Sequence, residues 1–238
     1  MKKATITRLE ALDYVGSESL NTLCSNLSFA GNGRKKLLFT GVTEGDGASH
    51  VAMRVTETLA GRGQRVVLVD CDLRASKLAD RYGITVQGGA GLSDYLTGEA
   101  KAEDVLYETN LPGVYLVPQG HPAANPAGLL HSAAFAALLD ELAAQFDAVL
   151  LDTPPVGQVV DAAEAAARCD GAVLVCAYGK TRRRDLALAK RQLEAAGCAV
   201  LGCVINRITF DTFSSRLHDN REDYTRFRSH LKKSRSRS

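Results

Sequence analysis

Three carboxylates and one glycine-rich turn are the residues of this sequence best suited to chemistry. Asp70 and Asp72, in "RVVLVDCDLR", close an apolar run at positions i and i+2 and so point the same way from a strand end, with Arg74 just beyond. Such a pair suits a hydrated metal ion or a reacting proton. Asp152, in "FDAVLLDTPP", ends a second apolar run, the place from which a carboxylate holds Mg²⁺ directly or through water. The turn is "GVTEGDGAS", Gly41 to Ser49, lying between an apolar run and a helical stretch. Its glycines let several backbone N–H groups face one anion, the helix start adds its dipole, and Ser49 offers a hydroxyl to Mg²⁺. A phosphate loop of the Walker type carries lysine where this chain carries Ala48. Near the end of the folded part, "GCVINR" offers Asn206, whose amide can donate to and accept from an adenine edge; the same position also suits an asparagine that caps a turn.

These residues need a frame that brings strand ends together. The runs at 36–40, 65–70, 113–118, 147–152, 171–178 and 199–206 are nearly continuous in Val, Leu and Ile, which predicts strands buried on both faces. Between them, 49–61, 131–145, 158–168 and 181–196 have helical spacing. Strand then helix, repeated, predicts a single α/β domain: a doubly wound, mostly parallel sheet with helices on both faces, whose ligands bind at the carboxyl ends of the strands. The expected division is an N-terminal segment (1–16), the domain (17–210) and a basic C-terminal tail (211–238).

Composition narrows the class. The 238 residues carry a net charge of +2, with 45% hydrophobic and 24% charged residues, as in ordinary globular proteins. No apolar run approaches the roughly 20 residues of a membrane-spanning helix, and the start "MKKATITRLEALDYVG" lacks the apolar core of a secretory signal. The six cysteines have neither a C-x-x-C pair nor a zinc spacing, so reduced structural thiols in a cytoplasmic protein are expected. The last 13 residues, "RFRSHLKKSRSRS", contain six Lys or Arg and no acid. They read as a solvated tail or as a weak attachment to an anionic membrane surface or acidic partner.

With these motifs in place, the chain resembles the bacterial tyrosine kinases (BY-kinases) of capsule and exopolysaccharide synthesis, relatives of the partition and septum-site ATPases with deviant P-loops. The resemblance runs from about residue 17 to 209 and includes "VVLVDCDLR", "VLLDTPPV", "GLSDYLTGE", "LPGVYLVPQGHPAANPAGLL" and "DGAVLVCAYGKTRRRDL". It implies a P-loop NTPase-like fold that binds ATP or ADP with Mg²⁺. Thr43, Gly45, Asp46, Gly47, Ala48, Ser49 and His50 would form the phosphate loop, and Asn206, with Arg207 beside it, would read adenine. Ser49, Asp72 and Asp152 would organise the metal, while Asp70 would position or deprotonate an acceptor tyrosine. The resemblance further implies a membrane-bound polysaccharide co-polymerase or adaptor as partner, recruitment from the cytoplasm to the inner face of the membrane, and no nucleic-acid partner.

The chain departs from the family where transfer and assembly are concerned. Ala48 replaces the lysine that neutralises charge on the β- and γ-phosphates, and His50 stands where threonine is usual. The family's assembly motif Glu-x-x-Arg-x-x-Arg reads Glu18, Asn21, Cys24, which weakens the expectation of a ring by self-association. Beyond residue 210 only Tyr224 is available as a phospho-acceptor. The sequence thus reads as a degenerate member, a pseudokinase or weak autokinase. Two alternatives stand beside it: an active autokinase with a substitute cation, for which Lys180 and Arg182–Arg184 are candidates, and a partition-type positioning ATPase.

Overall fold

The computed structural model of the chain describes residues 2–30 and 33–208. The expected tail, with Tyr224, lies outside the described residues. In chain order the strands are β1 (Lys2–Ile6), β2 (Lys36–Gly41), β3 (Val66–Asp70), β4 (Ile84–Val86), β5 (Tyr107–Thr109), β6 (Val114–Val117), β7 (Ala148–Asp152), β8 (Gly171–Ala177) and β9 (Val200–Asn206). The longer helices are α1 (Tyr14–Ala30), α2 (Ala48–Gly61), α7 (Ala133–Gln145) and α9 (Arg183–Ala195). Shorter ones lie between them: α3 (Leu78–Tyr82), α4 (Leu92–Leu96), α5 (Ala102–Val105), α6 (Pro126–His131) and α8 (Asp161–Ala166).

Among the described residues the strands form one nine-stranded sheet, in the order β4-β1-β5-β6-β3-β7-β2-β8-β9. From β6 to β9 all neighbours are parallel. The expected strands therefore make up this parallel block, and every residue of β3, β7 and β8 is buried, whereas β9, at the edge of the sheet, is intermediate or exposed throughout, against the expectation for 199–206. Alternate residues serve opposite faces. Leu38, Val67, Val69 and Leu151 pack under Phe135 and Leu138 of α7 and Leu193 of α9. Phe39, Val66, Leu68 and Leu150 pack under Met53 and Val55 of α2, with Cys24 and Leu27 of α1 behind them. Helices thus cover both faces, as the unbroken apolar strands require.

The other three strands are not legible as apolar runs. Residues 2–6, assigned by the sequence reading to a segment ahead of the domain, form β1 inside the sheet, parallel to β5 and antiparallel to β4. "KKATI" buries only Ala4 and Ile6, while Lys2 and Lys3 pair with Asp104 and Glu108. A strand with two inward side chains carries too little apolar signal to stand out. Among the described residues no helix is long and apolar enough to cross a membrane.

Candidate functional site

The carboxyl ends of β2, β3 and β7 lie side by side, and each delivers one motif. Asp70 and Asp152 are direct register partners across β3 and β7, and Phe39 of β2 is the neighbour of Asp152 on the other side. The Asp152-Thr-Pro-Pro turn is sewn to β2. Thr40, fully buried, donates its hydroxyl to the Pro154 carbonyl at 2.9 Å and accepts from the Val156 N–H at 3.0 Å.

The loop between β2 and α2 is built around Asp46, 1% exposed. One carboxylate oxygen accepts from the backbone N–H groups of Val42 (3.0 Å) and Thr43 (2.7 Å) and from the Thr43 hydroxyl (3.2 Å). The other accepts from the Ala177 N–H (3.1 Å) and the Thr181 hydroxyl (2.9 Å), at the end of β8. The Asn206 amide donates to the Asp46 carbonyl at 2.9 Å from the end of β9. Gly47 has φ 91°, and a Cβ there would come within 2.3 Å of the Asn206 amide nitrogen, so the position demands glycine on both counts. Lys180 donates to the Glu44 carbonyl at 2.8 Å.

Between loop, strand ends and α3 lies a cleft of about 310 Å³, lined by Thr43, Gly45, Asp46, Gly47, Ala48 and Ser49 together with Asp72, Thr153 and Arg207. That volume is within the range of small-molecule sites. The structure therefore brings most of the expected loop residues to one cavity with Asp72. Four expected residues are placed otherwise, among them Asp152, which ends β7 one residue before the cleft-lining Thr153. Asn206 does not line the cleft; besides its bond to the loop, its side-chain oxygen accepts from the Arg207 N–H at 2.8 Å. His50 turns to Tyr82, its Nδ1 2.9 Å from the phenol oxygen. Asp70 faces a separate cavity of about 170 Å³, lined also by Ser76, Leu78, Ile84, Val86, Leu116 and Gln119.

Burial sets the charge state of the acids. It pushes the Asp70 carboxyl up to about 7, and the charge of Asp72 adds to the rise, while hydrogen bonds from the Ser76 hydroxyl and the Asp72 N–H oppose it. Asp152 is raised well above the usual carboxylate range, first by burial and then by the charge of Asp70; the adjacent Ser49 hydroxyl opposes. Asp152 Oδ1 is buried with no hydrogen-bond partner among the described residues. An orphaned carboxylate oxygen beside a serine hydroxyl, with Asp72 on the cleft wall, is a donor set that fits Mg²⁺. Among the described residues no group of three or more His, Cys, Asp or Glu could hold a metal. So sparse a protein shell suits an ion that keeps waters and shares its shell with phosphates. When bound, Mg²⁺ would neutralise phosphate charge; Asp152, Ser49 and Asp72 would hold it.

Arg74 does not reach into this set. Its Nε and Nη2 clasp the two oxygens of Asp161, fully buried at the start of α8, at 2.7 and 3.0 Å. Arg74→Ala leaves that carboxylate buried and unpaired, and is expected to cost about 2–3 kcal/mol in urea denaturation, the half-exposed guanidinium moderating the loss. An unchanged midpoint would show the clasp to be idle.

On α1, the residues at the expected assembly motif diverge. Glu18 and Asn21 lie on the exposed side, where Asn21 receives the Arg62 guanidinium at its carbonyl (2.8 Å) and side-chain oxygen (3.2 Å). Cys24 is wholly buried against the sheet, and burial pushes its thiol up to about 11. Sequence reasoning missed three participants: Ser76, which holds Asp70; Thr181, which holds Asp46; and Arg81, which lines the cleft from α3. A charged residue one helical turn after Lys77 was the only available sign of Arg81.

Comparison with known proteins agrees with this geometry. A family described as "AAA domain" matches residues 39–177. The chain is 36% identical over 211 residues to the tyrosine-protein kinase CpsD of Streptococcus agalactiae, covering 85% of this chain and 91% of that one. Among solved structures, the kinase domain of the Escherichia coli tyrosine kinase ETK superposes with a TM-score of 0.77 at 25% identity, over 87% of this chain and 89% of that one. The septum site-determining protein MinD of Pyrococcus horikoshii, complexed with Mg-ADP, gives 0.63 at 27% identity, over 73% and 70%.

Proposed function

From the premise that this chain belongs to the bacterial tyrosine kinase (BY-kinase) family, we propose that it is a nucleotide-binding, transfer-impaired member acting in capsular or exopolysaccharide synthesis. The observation that carries the reading is the pairing of an intact cradle with a missing cation. The Asp46-braced loop with Ser49, and Asp72, line the cleft, and Asp152 neighbours Ser49, but the first residue of α2 is Ala48. Backbone N–H groups and a Mg²⁺ site suffice for holding a polyphosphate. A preorganised donor at the breaking bond contributes about 3–4 kcal/mol to the transition state, so its loss slows transfer by roughly a hundredfold or more.

ATP or ADP with Mg²⁺ is the proposed ligand, and a membrane-bound co-polymerase or adaptor at the inner face of the membrane the proposed partner. The buried Cys24 and the Arg62-bound Asn21 do not offer the two cations of the family's assembly motif, so we expect weak self-association. The test is Mg²⁺-dependent binding of fluorescent ADP and ATP analogues, followed by ATP-dependent labelling of a Glu/Tyr copolymer. Micromolar binding is expected, with labelling at least about a hundredfold below that of Ala48→Lys. Robust labelling by the unaltered chain would sink the transfer-impaired reading; absence of nucleotide binding would sink the nucleotide reading itself.

A further inference from the structure

Four cations line the cleft: Arg74, Lys77, Arg81 and Arg207. Two are committed to carboxylates. Arg74 clasps the buried Asp161, and Lys77 pairs with Glu44 at 3.1 Å. Lys180, the nearest candidate in sequence for a substitute cation, spends its ammonium on the Glu44 carbonyl and is not among the cleft-lining residues, nor are Arg182–Arg184. Arg207 follows Asn206 in a left-handed conformation (φ 61°) at the end of β9.

Arg81 differs from Arg74, Lys77 and Lys180. Among the described residues it has no carboxylate partner within ion-pair distance, and its charge is felt at Asp152 and His50. It is placed by α3, where its N–H donates to the Lys77 carbonyl at 2.9 Å. Its guanidinium lies beside the Tyr82 phenol, whose oxygen in turn meets His50 Nδ1 at 2.9 Å. His50 directly follows Ser49 in the first turn of α2. His50 is thus tied to Arg81 through one shared neighbour, the Tyr82 hydroxyl. Ala48 and Arg81 line the same cleft, and His50 is linked to Arg81 through the Tyr82 hydroxyl, so both departures in the phosphate loop bear on this cation.

Resting on the nucleotide reading above, we propose that Arg81 reads the terminal phosphate of ATP, with Tyr82 and His50 as positioning residues, and that the cleft distinguishes ATP from ADP by this contact. Arg81 lines the same cleft as the loop that lacks the lysine, and its charge acts on the metal-site carboxylate Asp152, so a third phosphate would be the one to reach it while the loop N–H groups would hold the second. A charge-assisted contact of this kind favours ATP over ADP by about tenfold or more.

The experiment compares Mg-ATP and Mg-ADP affinity by calorimetry for the full chain and for Arg81→Ala, Arg81→Lys, Tyr82→Phe and Lys180→Ala. Arg81→Ala should lose ATP affinity about ten- to hundredfold with ADP affinity nearly unchanged, and Arg81→Lys should recover part of the preference. Tyr82→Phe should weaken ATP binding in the presence of Arg81 and add nothing in its absence. Lys180→Ala should lower affinity for both nucleotides alike by loosening the loop. A nucleotide preference that survives Arg81→Ala, or one that is lost selectively in Lys180→Ala, overturns the assignment while leaving the nucleotide reading intact. A full chain that binds neither nucleotide overturns both.

Discussion

Asp46→Ala is expected to lower stability by about 3–5 kcal/mol in the absence of any ligand, read as a fall in the urea midpoint. The reason is that Asp46 is a strut before it is a ligand. Its carboxylate gathers five hydrogen bonds from two separate segments, the loop after β2 and the end of β8. Truncation removes an acceptor from a site with 1% exposure and leaves the Thr43 N–H without its partner. Each such loss costs on the order of 1–3 kcal/mol when the group stays buried. Ala177 and Val42 keep second acceptors, in Thr181 and in the Val175 carbonyl, which caps the total. Asp46→Asn should cost less, since one oxygen remains to hold part of the network. If Asp46→Ala left the unliganded midpoint unchanged and altered only nucleotide affinity, the strut account would be wrong.

Asp152→Asn is expected to act in the opposite direction at high pH. Both Asp70 and Asp152 have folded-state values raised above the ordinary 3.8, Asp70 to about 7 and Asp152 well above the usual range. Over the window from about 4 to 7 the folded protein then holds protons that the unfolded chain releases, and stability falls as pH rises through it. The contribution of each acid is complete below the unfolded value and is lost as pH passes the folded one. Replacing Asp152 by a neutral amide removes one of the two like charges that cannot both ionise comfortably on adjacent strand ends. In metal-free buffer at pH 8 the variant should melt higher, with the gap closing toward pH 4. Added Mg²⁺ should narrow the gap from the other side, by stabilising only the unaltered protein. Taking the difference between the two proteins cancels the titration of groups remote from Asp152 and retains that of the coupled Asp70. A gap that is constant across pH, or a variant that melts lower at pH 8, would refute the protonation account.

Much of the frame was legible because the information was local. The blocks "VVLVD", "AVLLD" and "GAVLVCA" are apolar at every position, and only strands covered on both faces need that. Once such strands are parallel neighbours, aspartates at their carboxyl ends meet, which is why Asp70 and Asp152 are legible from the sequence alone. The strands β1, β4 and β5 were missed because "KKATI", "ITV" and "YET" are short and half polar; each owes its existence to a neighbour rather than to its own composition. The role of Asp46 was illegible for a related reason. Sequence shows an acid in a glycine-rich turn, and nothing local says that its second oxygen will be taken by Ala177 and Thr181. Arg81 sits in an unremarkable helical pentapeptide, "LADRY", and gains its interest only from the wall it faces.

The bracing of the loop also dictates an order of events during synthesis. The loop begins at Gly41, but its bonds to Ala177, Thr181 and Asn206 span 131, 135 and 160 residues. A ribosome delivering this chain from its N-terminus will have released α2, β3 and β7 long before β9 emerges, so the nascent domain must wait with its first motif unfastened. Closing loops of that length makes the fastening late and slow relative to local structure. A chain stalled just short of residue 206 would expose a cleft whose floor is built and whose latch has not arrived.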